Sequence, residues 1–520
     1  MNKKIKALVA IVCVVVVIGI SFGVYALAVN FGTTTINLDA SKTYQTMNGF
    51  GASSAWLYQD LGTLEDDDFK DAAMQMLYGD SGLALNTFRY NVGAGGVESD
   101  SYEDPLRGAE SYFVAENFNG DYSVFADPSN YDFSKDAAVR DLFERALATG
   151  NISKIVFFAN SPHYLMTLNG KTHGENRYDN NLKRECYEAF SDYMLVIVDY
   201  LYQNIVCKYA SDIEILISPV NEPQWTWGGE GATQEGCHYD PAQLAEFYDV
   251  FYKKLKAFNA AHSTEYIMDI FESGNYKMVL SKRTNFNEYM TEFEKYEYFQ
   301  DITHISVHSY GADQSKYFRE VFAEYMATYY PQISVSVSEY CTMVWNLDRS
   351  IDMGLWCGKV MLRDLAILGA TDWQWWLSIA KSTYEKNGEY EDGLVYWFYD
   401  EDKETGERSN HSLDVTKRYY VMGQFSKYIS EGSVRIKAGY SDFLSMNGVE
   451  CVAFKNLDGS ITLIALNDSE SERKIKINGG YANVKEITTN ADVNWQIREY
   501  ENKGSVTLSG KSVTTFVFTK

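Results

Sequence analysis

Two glutamates stand where β-rich segments of the chain end. Glu222 follows one such segment in the run SPVNEP, and Glu339 ends another in the run SVSEY. Two carboxyl groups about 5–5.5 Å apart can cleave a glycosidic bond, one by protonating the leaving oxygen and the other by attacking the anomeric carbon. A position at the start of a helix, before Pro223, is the other role open to Glu222. The elements that carry these side chains decide whether they meet.

Helical patterns separate most of the β-rich segments along the first four fifths of the chain. Eight such segments cover residues 45–53, 87–92, 154–160, 213–220, 266–271, 302–307, 333–338 and 371–376. Alternating strands and helices predict a parallel sheet, and eight repeats fit an α/β fold of the (β/α)8 TIM-barrel type. An open doubly wound sheet is the alternative, but no GxGxxG run follows an early strand. Across a barrel mouth, Glu222 and Glu339 would face each other.

The pattern changes after about Gly432, where short alternating strands follow one another. They cover residues 434–437, 449–455, 461–466, 474–477, 484–488, 505–508 and 513–518. Such strands predict an antiparallel β-sandwich. Residues 33–38 are also strand-like and are expected to pair into it. We therefore assign residues 44–430 to the barrel and residues 33–43 plus 431–520 to a docked β-sandwich, since no Pro/Ser-rich linker separates them.

The N-terminus carries an export pattern. Lys3, Lys4 and Lys6 precede an uncharged stretch over residues 7–29, which is long enough to span a bilayer. The lysines should stay in the cytoplasm, and the run Ala-Leu-Ala at 26–28 suits a signal peptidase. Residues 1–28 are thus predicted to be a signal peptide or a membrane anchor. The rest of the chain would be extracellular, secreted or held on the outer face of the membrane.

Composition narrows the kinds of partner. The 520 residues include 46 Lys+Arg and 71 Asp+Glu, a net charge of −25, and 15% are aromatic. An acidic chain without basic runs argues against nucleic-acid binding, and the aromatic content argues against disorder. Aromatic side chains suit an uncharged ligand that stacks on rings, such as a sugar, although composition alone favours the alternative, a large aromatic core. No HExxH run or other paired His spacing is present, so we predict neither metal nor cofactor.

Several short runs through the barrel share a family likeness. They are GFGAS at 49–53, FRYNVG at 88–93, ANSPHY at 159–164, NEP at 221–223, QEGC at 234–237, HSY at 308–310 and SEY at 338–340. Together with the closing strand at 512–518, they resemble glycoside hydrolase family 30, most closely its endo-β-1,6-galactanase-like branch. The resemblance implies a barrel with a side β-sandwich partly built from the N-terminus.

The resemblance also implies roles for individual residues. Glu222 would be the acid/base and Glu339 the nucleophile, with Arg89 beside Glu339 to keep it ionised. Asn221 would bond the sugar's 2-hydroxyl. The expected substrate-binding residues are Arg89, Asn160, Asn221, His308, Tyr310, Trp225, Trp373 and Trp376. A structural ion pair is the alternative for Arg89, and core packing is the alternative for His308, Tyr310 and each tryptophan.

The chain departs from the family at one wall of the expected site. Family members often carry a second Pro and a Trp where this chain has His163 and Leu165, which leaves the sugar preference there open. The sequence predicts a retaining β-glycanase, foremost an endo-β-1,6-galactanase acting on arabinogalactan-type side chains by double displacement. The alternatives are a β-1,6-glucanase, a xylanase, an exo-β-glycosidase, a non-catalytic carbohydrate-binding surface protein and a metal-dependent barrel hydrolase.

Overall fold

A computed structural model describes residues 34–100, 102, 104–176, 180–210, 212–229, 231–280, 286–343, 347–382, 392–402, 404–440, 448–502 and 504–519. The predicted export segment, residues 1–28, lies outside the described residues. Within the described ranges, no helix combines the length and the apolar run that crossing a membrane requires.

The described residues divide into two compact units. The barrel unit takes residues 47–349 and 363–419, and the sandwich unit takes residues 34–46, 350–362 and 420–519. The strands, in chain order, are β1 Thr34–Thr46, β2 Gly49–Ser53, β3 Thr87–Asn91, β4 Lys154–Phe158, β5 Glu214–Ser218, β6 Ile267–Met268, β7 His304–His308, β8 Ser334–Glu339, β9 Asp372–Ser382, β10 Gly393–Glu401, β11 Arg408–Val415, β12 Val434–Tyr440, β13 Val449–Lys455, β14 Ile461–Asn467, β15 Arg473–Asn478, β16 Asn483–Thr489, β17 Gln496–Glu501, β18 Ser505–Leu508 and β19 Ser512–Thr519. The α-helices are α1 Tyr58–Leu61, α2 Asp67–Tyr78, α3 Gly96–Ser99, α4 Ala137–Ala148, α5 Tyr187–Asn204, α6 Pro241–His262, α7 Phe286–Phe293, α8 Lys316–Tyr329, α9 Ile351–Arg363 and α10 Lys417–Ser426.

Strands β2 to β9 form the barrel, and each pairs in parallel with its neighbours. The sheet runs β9-β2-β3-β4-β5-β6 on one side and β7-β8-β9 on the other. A parallel bridge between Ser273 and Val307 joins the segment after β6 to β7. Strands β3 and β4 are buried along their whole length, as parallel strands covered on both faces are. The predicted TIM-barrel fold is therefore confirmed, with β10 and β11 added beside β9.

The sandwich unit contains nine strands in the order β17-β16-β19-β14-β13-β12-β1-β15-β18. Its core holds Ile36, Ile436, Leu463, Ile475 and Phe516, all buried. The pairing is antiparallel, as predicted for this domain, except that β1 runs parallel to β15. Strand β1 reaches the sheet from the far end of the chain, so no hairpin dictates its direction.

The buried carboxylate of Asp364 is the centre of a hydrogen-bond network inside the barrel unit. The Asp364 carboxylate accepts hydrogen bonds from Arg319 Nε at 2.7 Å, Ser309 Oγ at 2.8 Å and Trp373 Nε1 at 3.0 Å. Trp373 is fully buried, so its indole has no free face for a sugar. This position does not suit the substrate-binding role expected for Trp373. It lies on β9 with its ring directed into the core.

Replacing Trp373 by Phe should lower the free energy of unfolding by about 1–3 kcal/mol, because the buried Asp364 carboxylate loses a donor. Trp56→Phe is the matched control, since the Trp56 indole N–H has no hydrogen-bond partner within the described part of the chain. Urea unfolding of both variants measures the difference. Equal losses in the two variants would contradict this assignment of Trp373.

Candidate active site

The predicted site residues converge at one end of the barrel. Glu339 and His308 are the last residues of β8 and β7, and Arg89 lies within β3. Glu222 follows β5 by four residues, in a backbone conformation with a φ of 47°. This is the carboxyl end of the parallel strands, where TIM-barrel enzymes build their active sites. Barrel closure thus brings together residues that are far apart in the sequence.

The two candidate catalytic carboxylates face each other across a narrow gap. Oxygen atoms of Glu222 and Glu339, together with a ring nitrogen of His308, all lie within 4.8 Å of one another. Glu222 is 7% exposed and Glu339 is 4% exposed. Oxygens this close are consistent with the separation of about 5–5.5 Å between the carboxyl groups of a proton donor and a nucleophile.

Arg89 joins three of the strand ends through one guanidinium group. Its Nη1 donates to Glu339 Oε2 at 2.7 Å, and its Nη2 donates to Asn221 Oδ1 at 3.0 Å. The same Nη2 lies 3.4 Å from Glu272 Oε1, and the guanidinium carbon lies 3.8 Å from the centre of the Phe158 ring. Arg89 has no exposed surface. It therefore acts on the site through the groups that it holds.

Glu339 is surrounded by donors and positive charge. The Tyr310 hydroxyl donates to its Oε1 at 3.0 Å, opposite the bond from Arg89 to its Oε2. Burial raises the pKa of Glu339 above the ordinary value, although His308 and Arg89 act in the opposite direction. Both carboxylate oxygens are thus held by donors, which fixes the orientation of this side chain.

His308 lies between two carboxylates with no exposed surface. Its Nδ1 is 2.8 Å from Glu222 Oε1, and its Nε2 is 2.9 Å from Glu272 Oε2. Burial alone would lower the pKa of His308, but Glu339, Glu222 and Glu272 together raise that pKa to about 10. A pKa of this size favours an imidazolium near neutral pH, which would donate to a carboxyl group from each nitrogen.

Glu272 is a third buried carboxylate that the sequence analysis missed. It directly follows the predicted fifth strand, the same placement that singled out Glu222 and Glu339. Its oxygens also accept from Ser218 Oγ at 3.3 Å and from Ser338 Oγ. Burial raises the pKa of Glu272, but Arg89 and His308 outweigh it and lower that pKa to about 2. Glu272 is thus a permanent negative charge under the site.

A chain of amides adjoins the carboxylates. Asn221 accepts from Arg89 and donates from Nδ2 to Asn160 Oδ1 at 3.1 Å. Asn160 in turn donates to Asn91 Oδ1 at 3.4 Å. The bond from Arg89 fixes which end of the Asn221 amide is oxygen. The orientation of Asn221 and Asn160 is therefore set by neighbouring side chains.

Two of the expected tryptophans lie near these groups. The Trp376 ring centre is 5.7 Å from the Arg89 guanidinium and 5.2 Å from the Trp56 ring, edge to face. Trp225 is partly exposed, and its backbone N–H donates to the Glu222 carbonyl at 3.1 Å. Trp227 donates from Nε1 to the same carbonyl at 2.9 Å. Trp376 therefore lies near Arg89 and Trp225 lies beside the backbone of Glu222, whereas Trp373 bonds Asp364.

Glu222, His308 and Glu339 form the one group of acidic, His and Cys side chains in the described ranges that is compact enough to surround a cation. Their charges do not suit that role. His308 presents an N–H to Glu222, and Arg89 already occupies Glu339 at 2.7 Å. We therefore assign no metal to this group.

Family models match both parts of the chain. Residues 33–396 match the model described as O-glycosyl hydrolase family 30, and residues 432–516 match the β-sandwich domain of glycosyl hydrolase family 30. An endo-β-1,6-galactanase from Hypocrea rufa is 24% identical over 412 residues, which cover 77% of this chain and 75% of that protein. An exo-β-1,6-galactobiohydrolase from Bifidobacterium longum is 28% identical over 280 residues, which cover 44% of this chain and 18% of that protein.

Solved structures share the fold at lower identity. A conserved exported protein from Bacteroides fragilis has a TM-score of 0.75 at 19% identity and covers 93% of this chain and all of its own. The catalytic domain of xylanase C from Talaromyces cellulolyticus has a TM-score of 0.66 at 18% identity. The match covers 94% of this chain and 100% of that domain. An endo-β-1,6-glucanase has a TM-score of 0.64 at 19% identity, and the match covers 94% of this chain and 95% of the glucanase chain. The family 30 model matches more than half of this chain, and the solved structures share its fold. This chain therefore belongs to glycoside hydrolase family 30 and is a glycosidase.

Proposed function

We propose that this glycosidase is a retaining endo-β-1,6-galactanase that acts on arabinogalactan-type side chains. One observation carries the retaining mechanism, namely the separation of less than 4.8 Å between oxygens of Glu222 and Glu339. So small a gap suits direct attack by a carboxylate on the anomeric carbon. The substrate is supported by the relative described as an endo-β-1,6-galactanase, which aligns with 77% of this chain.

The reaction would run in two displacements. In the first, Glu339 attacks the anomeric carbon while the glycosidic bond breaks, and Glu222 gives its proton to the leaving oxygen. In the second, Glu222 takes a proton from a water molecule, which attacks the same carbon and releases the sugar from Glu339. Each displacement inverts the anomeric centre, so the product keeps the configuration of the substrate.

The groups around Glu339 would support these steps in different ways. Arg89 and Tyr310 hold its two oxygens, which leaves the carboxylate fixed in position for attack. Asn221, held by Arg89 and Asn160, would bond the sugar's 2-hydroxyl. Trp376 and Trp225 would stack on sugar rings next to the bond that is cleaved.

Two specific observations favour other specificities within the same mechanism. The endo-β-1,6-glucanase shares this fold, and the relative from Bifidobacterium longum is described as exo-acting. A β-1,6-glucanase and an exo-acting galactosidase are therefore the second candidates. We also propose that the enzyme works outside the cell, which rests on the basic and then apolar residues 1–28.

A panel of defined polysaccharides should identify β-1,6-galactan as the preferred polymer. An endo-acting enzyme should release oligosaccharides of mixed length from the first minutes, which chromatographic sizing of the products measures. Release of disaccharide alone would indicate exo action, and preference for β-1,6-glucan or xylan would overturn the substrate assignment.

Replacing either carboxylate should affect the two displacements differently. Glu339→Gln should lower kcat by at least about 10⁴-fold, because no other group can form the glycosyl intermediate. Glu222→Ala should lower kcat on polysaccharide by a similar factor. With an aryl glycoside, whose leaving group departs without a proton donor, added azide should restore activity. Steady-state kinetics and product analysis measure both effects. Near wild-type turnover by Glu339→Gln, or no rescue of Glu222→Ala, would contradict these roles.

The first product formed should have the β-configuration. Proton NMR during the first minutes of hydrolysis distinguishes the β-anomer from the α-anomer before mutarotation mixes them. A first-formed α-anomer would show a single displacement and would contradict the nucleophile role of Glu339.

A further inference from the structure

We propose that Glu272 is a positioning residue for the reaction, because it keeps His308 doubly protonated and directed at Glu222 through both displacements. The inference rests on the proposed double displacement. It concerns a residue without any contact to the sugar in that mechanism, since Glu272 has no exposed surface. Its effect on catalysis would therefore pass through His308.

The geometry around Glu272 fixes the position of one of the two protons on the imidazolium. Nε2 of His308 lies 2.9 Å from Glu272 Oε2, and Nδ1 lies 2.8 Å from Glu222 Oε1. A carboxylate only accepts hydrogen bonds, so an ionised Glu272 requires a proton on Nε2. The remaining nitrogen, Nδ1, can then serve Glu222 in either of its protonation states. In the imidazolium Nδ1 also carries a proton, and it donates to Glu222 Oε1 whether Glu222 is ionised or carries its own proton on the other oxygen.

The three carboxylates near His308 differ in what the reaction does to them. Glu222 gains and loses a proton in each cycle, and Glu339 loses its charge when it becomes a glycosyl ester. Glu272 alone keeps its charge throughout, since Arg89 lies 3.4 Å from its Oε1 and no reacting atom reaches it. When Glu339 is an ester, Glu272 is thus the fixed negative charge that holds the proton on His308 Nε2.

The environment of Glu272 is built to keep it charged. Two serine hydroxyls, from Ser218 at the end of β5 and from Ser338 in β8, donate to its oxygens. The titratable and charged groups that face it or His308 are Arg89, Glu222, Glu339, Asp269 and Tyr248. The two hydroxyls, the imidazolium and Arg89 all favour the ionised form of Glu272.

The test follows the protonation of His308 by nitrogen NMR of the full chain labelled with ¹⁵N-histidine, using His308→Gln to assign the signal. In the free wild-type enzyme, His308 should remain an imidazolium up to pH 8. It should also remain one after the enzyme is trapped as a glycosyl ester by an activated 2-deoxy-2-fluoro-β-galactoside. In Glu272→Gln, the midpoint of its titration should fall in the free enzyme, and the trapped enzyme should carry a neutral His308 at pH 7.

Kinetics supply the second readout. Glu272→Gln should lower kcat by at least about tenfold and change KM far less, because Glu272 acts on Glu222 and not on the bound sugar. Glu235→Gln is the matched control. Glu235 is equally buried and its Oε1 accepts from the backbone N–H groups of Gly96 and Ala109, but it lies outside the His308 network. That variant should leave the His308 signal unchanged.

An imidazolium that persists in Glu272→Gln, free and trapped, would overturn the proposal and leave Glu272 a structural ion pair. A neutral His308 in the trapped wild-type enzyme would overturn it as well, even if Glu272→Gln does not fold. Failure of the galactoside to trap the enzyme would count against the proposed substrate instead. The free-enzyme titration needs no substrate, so it decides on Glu272 in either case.

Discussion

The structure of the site depends on a buried balance of charge around Arg89. Removing ions from water costs several kcal/mol for each ion, and only close, hydrogen-bonded pairing offsets that cost. Arg89 and His308 supply two positive charges against the carboxylates of Glu222, Glu272 and Glu339. Each carboxylate accepts at least one bond from a cation, so the site tolerates deep burial of all three. Loss of either cation would leave a buried carboxylate without its partner.

Because of this charge balance, the site forms only when the barrel closes with its strands in register. Arg89 bonds Glu339 across 250 residues of sequence and Asn221 across 132. Those bonds form only when β3, β5 and β8 are in register around the barrel. A shift of one residue in a strand would turn its end side chain to the other face. The register of the sheet is thus a condition for the carboxylate gap of less than 4.8 Å.

Much of this arrangement was predictable because a parallel barrel puts strand ends at one rim. The eight barrel strands and the placement of Glu222 and Glu339 follow from alternating patterns and from that rule. Glu272 also follows a predicted strand, but it lies in none of the short sequence runs that resemble the family, so no role was predicted for it. Trp373 shows the opposite limit, since alternation along β9 cannot tell the core face from the cleft face until Asp364 is placed beside it. Strands β10 and β11 have no counterpart among the predicted strands.

In the proposed mechanism the charge balance acts on the anomeric centre, which all β-glycosides share, so the choice of sugar would come from other residues. The segment after β3, residues 93–132, is one source, since loops after barrel strands border the active site. His163, a departure from the family pattern, packs against this segment. It is fully buried against Phe113, Phe125 and Tyr193, and burial lowers the pKa of His163 to about 3. A neutral imidazole in an aromatic core sets the position of the loop, not its contacts with sugar. The departure at His163 therefore lies in the aromatic packing of this segment and not in the carboxylate pair.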